Sequence, residues 1–196
     1  SKFEYGSTLT ACLAYLMLKQ QDAVGLITFS NRIEKMVPPM ATPGHLFAIL
    51  KELEDRIPRG ETSSGPVLQE LAGSLKRRGF IILISDLLDK PEEVMRGLKQ
   101  LRSRGNDVMV FHLLDSDELE FPFEQPTRFI DLEEDINLLT DPQAVRSSYL
   151  KSMNSLIEGY RQSCASYRID YSLFNTSVGL DRALVRYLTW REKFRV

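Results

Sequence analysis

The chain of 196 residues balances 25 Lys plus Arg against 27 Asp plus Glu, for a net charge of −2, and is 43% hydrophobic. This is the make-up of a globular domain with a sizeable core, and it gives no electrostatic reason to expect a nucleic-acid partner. No apolar run approaches the roughly 20 residues that span a bilayer, and a mere two cysteines, Cys12 and Cys164, suit a reducing, cytoplasmic setting.

In chain order, apolar residues recur at helical spacing from Leu9 to Leu18, so "YGSTLTACLAYLMLKQQ" is expected to be a helix. "DAVGLITFS" (Asp22 to Ser30) and "RIEKMVPP" (Arg32 to Pro39) then form a hairpin about Ser30 and Asn31. Two helices follow, "PGHLFAILKEL" and "SGPVLQELAGSLKRRG", the second stopping at Gly79. The run Phe80 to Ile84 is a strand apolar on both faces, and it ends on Ser85 and Asp86. A helix opened by Pro91 and closed by Gly105 leads to the strand "NDVMVFHLLD" (Asn106 to Asp115). Beyond it come two short strands around Glu133 to Asp135, a long helix from Pro142 to Tyr167, the strand "IDYSLFNT", and a last helix from Leu180 to about Thr189.

Strands too apolar to have a wet face, alternating with helices, predict an α/β fold of three layers. An open, mostly parallel sheet carries helices on both faces and one antiparallel edge strand, Ile33 to Val37. No repeat or linker interrupts the chain, so 1–196 reads as a single domain. The basic clusters "KRRG" and "LRSRG" read as solvated last turns of helices, where cations complement the dipole. His112, inside a strand, reads as a packing residue, and "DSDELE" as a solvated turn rather than a metal cluster.

Open parallel sheets bind ligands outside the carboxyl ends of their strands, which is where Asp86 falls. The hydroxyl-rich stretch "IPRGETSSGPVLQEL" precedes the helix before the Asp86 strand. Its serines suit helix capping, and its hydroxyls, together with the Asp86 carboxylate, are the hard oxygen ligands that magnesium prefers. Nucleotide-cradling glycine loops, a nucleophile elbow and zinc-ligand spacing are missing from the sequence.

The order "DAVGLITFSNRIEKMVPP", "GETSSG", "IILISDLLD", continuing through "RGNDVMVFHLLDSDELEFPF", "RFIDLE", "DPQAVRSSYL" and "IDYSLFNTS", resembles the von Willebrand factor A fold. More narrowly, it resembles the bacterial family called domain of unknown function 58. The resemblance implies a metal-ion-dependent adhesion site in which Thr62 and Asp86 match the second and third motifs. The first motif, Asp-x-Ser-x-Ser, has no counterpart, and the expectation is a fragment that lacks that motif and its strand. Unpaired strands then invite self-association. The resemblance also implies a protein-binding module whose partner is a MoxR-type AAA+ ATPase, in chaperone-like or complex-assembly work. Magnesium is the implied cofactor, weakly held by two protein ligands. The alternative is a metal-dependent hydrolase or phosphoryl-transfer enzyme using Asp86, against which stands the lack of a general base or phosphate loop nearby.

Overall fold

The structure is a computed structural model that describes residues 1–56, 63–125, the backbone of 127–130 and 137–140, 141–182, and 184, 185, 188 and 189. The chain folds as two compact units.

In the first unit, α1 (Lys2–Lys19) opens with a capping box. The Ser1 hydroxyl accepts from the Glu4 amide, and the Glu4 carboxylate accepts from the terminal amine. Strands β1 (Val24–Phe29) and β2 (Ile33–Met40) pair antiparallel, with Leu26 opposite Val37 and Phe29 opposite Ile33. Pro38 and Pro39 are tolerated in β2 because, among the described residues, its ladder has one side only. Helix α2 (His45–Glu54) starts on a buried histidine whose Nε2 lies 2.8 Å from the Val24 carbonyl oxygen. Ala14, Val24 and Ile49, from α1, β1 and α2, form the buried centre. Residues described between Asp181 and Thr189 are helical, as the sequence predicts.

The second unit is a parallel α/β layer. Its elements are α3 (Ser64–Ser74), β3 (Phe80–Ser85), α4 (Pro91–Ser103), β4 (Asp107–Leu114), α5 (Ser116–Glu120), β5 (Thr127–Ile130), β6 (Asn137–Thr140), α6 (Pro142–Ser166) and β7 (Asp170–Asn175). The sheet order is β3-β4-β7, every pairing parallel, with Ser85 opposite His112 and His112 opposite Leu173. β4 is buried at every position from Val108 to Leu114, as a central strand covered on both faces must be. Met153 and Ile157 of α6 bury against Leu114, with Leu173 packed beside them. α4 packs on β4, and α3 packs on α4. The two short strands expected around Glu133 to Asp135 are β5 and β6, which pair antiparallel.

Three details differ from the sequence reading. Helix α3 ends at Ser74, because Leu75 turns to an extended conformation, so Lys76, Arg77 and Arg78 lie in the connection to β3 rather than in a last helical turn. Gly73 and Ser74, both weak helix formers, precede three like charges, which is reason enough for an early stop. β1 does not join the parallel ladder but forms a separate two-stranded sheet with β2. Among the described residues β3 is accordingly an edge strand, half-buried except for Leu83.

Candidate functional site

Asp86 follows the last residue of β3, at the carboxyl end of a parallel strand, and is half-buried. The backbone then makes an unusual move. Leu87 takes φ +51°, a left-handed conformation that costs a non-glycine residue roughly 1–2 kcal/mol. That twist sends Leu87 fully inward, at 0% exposure, and the next residue, Leu88, outward at 52%. The Leu87 amide donates to the Ser85 hydroxyl at 3.1 Å, and the Leu87 carbonyl accepts from the Tyr160 hydroxyl of α6 at 3.3 Å.

The far end of the same turn is tied to α3. The Ser64 amide, in the first turn of that helix, donates to Asp89 Oδ2 at 2.7 Å. A carboxylate at a helix N-terminus satisfies one of the free amides and complements the dipole. Ser64 itself is fully buried, and its hydroxyl has no hydrogen-bond partner among the described residues. Gly65 makes the approach possible. A Cβ there would lie 2.6 Å from Glu93 Cβ, so any larger residue would push α3 off α4.

Behind the turn lies a buried polar layer. His112 is 0% exposed, its Nδ1 is 2.7 Å from the Tyr171 hydroxyl, and its ring meets that of Tyr160 edge-on at 5.9 Å. His112 is thus a core residue, as its place in a strand predicted. Burial raises the hydroxyl pKa of both Tyr160 and Tyr171, so each stays a protonated donor at neutral pH. Burial likewise pushes the Cys164 thiol up to about 12, leaving it unreactive.

Of the two sequence-predicted metal ligands, Asp86 holds the expected strand-end position, and Thr62 lies outside the described residues. The described residues contain no group of three or more His, Cys, Asp or Glu able to hold a metal. The donors near the turn are nonetheless of magnesium's kind, carboxylate and hydroxyl oxygens. "DSDELE" forms α5, where its carboxylates work as caps. Asp115 accepts from the Asp117 amide at 3.0 Å, and Glu118 accepts from the Asp115 amide at 2.8 Å.

A family model described as "Protein of unknown function DUF58" matches residues 1–156. The chain belongs to this family. Among curated proteins no match was found. Two solved structures share the fold. One is described as a conserved hypothetical protein BatB from Bacteroides thetaiotaomicron, 16% identical with TM-score 0.58, over 97% of this chain and 88% of that one. The other is described as an aerotolerance-related membrane protein from Bacteroides fragilis NCTC 9343 with multiple mutations to serines. It is 20% identical with TM-score 0.57, over 94% and 86% of the two chains. Within the DUF58 chain itself, no helix among the described residues is long and apolar enough to cross a membrane.

Proposed function

We propose that this DUF58 chain is a von Willebrand factor A-like protein-binding module, acting in the cytoplasm by contact rather than by catalysis. Its binding face is the rim that carries Asp86 and Leu88, and its partner is a MoxR-type AAA+ ATPase in chaperone-like or complex-assembly work. One observation supports this most directly. The chain tolerates a left-handed leucine, and the result is an exposed apolar side chain next to a strand-end carboxylate. Strain of that kind collects where a surface has to be held in one shape. An apolar contact beside a charge is also the composition of a protein-docking spot.

Magnesium has a natural place in this reading. Asp86 and Thr62 would supply protein oxygens, and the ion would supply the positive charge that a partner carboxylate could complete. Two protein ligands leave most of its coordination to water, so the ion strengthens the contact only when the partner is present.

The test is binding of the purified chain to its cognate MoxR-type ATPase, measured by calorimetry in magnesium and in EDTA. Asp86→Ala and Leu88→Ala should each weaken binding about tenfold or more, the size expected of a hot-spot residue, while thermal denaturation stays nearly unchanged. Undiminished binding by both variants would sink the proposal.

A further inference from the structure

We infer that Tyr160 is a positioning residue for the Asp86–Leu88 rim, and that helix α6 thereby holds the binding turn in its strained shape. The inference rests on the proposed reading of the rim for its functional meaning, but its physical content stands on geometry alone. Leu87 cannot reach φ +51° without support, and its two backbone groups have named partners. The amide is held from within the turn by Ser85, whereas the carbonyl is held from 73 residues away by Tyr160.

Tyr160 is well built for this task. Its side chain is 1% exposed, so the hydroxyl faces no competing water. Its ring is braced edge-on by His112 of β4, the central strand. The hydroxyl is therefore aimed at the turn by a ring packed against the central strand. Asp89, bound to the Ser64 amide, fixes the other end of the same turn. Leu88 lies between the clamp from α6 at Leu87 and the clamp from α3 at Asp89, and Asp86 directly precedes the first. A displacement of α6 would release the Leu87 carbonyl, let the backbone relax out of the left-handed region, and swing Leu88 from its outward position.

Tyr160→Phe tests this with little disturbance, since it keeps the braced ring and removes one hydroxyl. Amide exchange followed by NMR should show Leu87 exchanging about 2- to 10-fold faster, the factor equivalent to one net hydrogen bond, with Val110 and Phe111 in β4 unchanged. A merely structural tyrosine would raise exchange everywhere together, and that uniform result would overturn the inference, as would an unchanged Leu87. Asp89→Ala, which frees the other end, should speed Leu87 exchange in the same local way. A parallel titration with magnesium alone, read at the Asp86 to Leu88 amides, separates the two claims. If wild type responds and Tyr160→Phe needs several-fold more magnesium, clamp and metal reading are both supported. If wild type gives no response, the metal reading fails, and the exchange result alone decides the clamp.

Discussion

Gly97→Ala offers the sharpest check on how the second unit is packed. Gly97 lies on α4 where it crosses α3, and a Cβ there would meet Leu68 Cβ at 2.5 Å and the Gly65 carbonyl oxygen at 3.1 Å. Carbon atoms prefer separations of about 3.5–4.0 Å, so the helices would have to part by roughly 1 Å. Overpacking of this kind costs about 1–3 kcal/mol, while alanine in a helix interior returns about 0.8–1.0 kcal/mol over glycine. The net expectation is a loss of about 0–2 kcal/mol, or up to roughly 8 °C in a chain of this size, and a difference of about 1–3 kcal/mol from a glycine-to-alanine change that meets no clash. Gly159→Ala in α6 is the matched control, because nothing lies within 4 Å of the added methyl group. It should gain up to about 1 kcal/mol from propensity alone. Urea denaturation followed by circular dichroism compares the two. If Gly97→Ala proved as stable as Gly159→Ala, the close helix crossing would be wrong. The site is affected as well, since parting α3 from α4 would stretch the 2.7 Å bond between the Ser64 amide and Asp89.

Other expectations follow from the same geometry. Asp86→Ala should change stability by no more than about 0.5 kcal/mol in thermal denaturation, whereas Leu83→Ala, 4% exposed in the same strand, should cost about 2–5 kcal/mol. Ile82, apolar but half-buried in an edge strand, should cost less than Leu83 when truncated. Magnesium affinity of the chain alone should be weak and abolished by Asp86→Ala; calorimetry showing tight binding would overturn the two-ligand site, and indifference to that change would take Asp86 out of it. Cys164, Tyr160 and Tyr171 all have folded pKa values raised by burial, so their contribution to stability is complete below the unfolded values and declines as pH rises past about 9. Urea midpoints should therefore fall between pH 9 and 11, and Cys164→Ala should blunt the earliest part of the fall. Among the described residues β3 has a ladder neighbour on one side only, so the chain should associate as concentration rises, and Ile82→Lys should suppress it. A strict monomer at all concentrations in sedimentation velocity would argue against an open edge.

What the sequence made legible was whatever local chemistry decides. Phe80 to Ile84 is short, apolar without alternation and bounded by Gly79 and Asp86, which marks a parallel strand, although its burial on both faces is not local chemistry and holds fully only at Leu83. Pro91 with Glu92 and Glu93 opens α4, and Gly105, at φ +87°, closes it, each by a mechanism that needs no distant partner. The early end of α3 is not legible in the same way, because Gly79 carries the stop signal while the helix yields sooner, ahead of Lys76, Arg77 and Arg78. The placement of β1 in its own sheet with β2 could not be read either, since pairing of strands depends on neighbours in space and not on either strand's composition.

The site divides along the same line. Asp86 was visible because a carboxylate at the end of an apolar strand is locally anomalous. Leu87 was not, because left-handed backbone is signalled by glycine or asparagine and this turn contains neither. A leucine reaches that conformation only when tertiary contacts hold it there, and here they come from Ser85 beside it and Tyr160 far along the chain. Tyr160 looks in sequence like any tyrosine on a helix, and its role is fixed by a hydroxyl that meets one carbonyl in the folded state. On the proposed reading, the residues that could be read would present the binding chemistry, and those that could not hold the turn in place. The second group can be found only by asking what keeps a strained turn from relaxing.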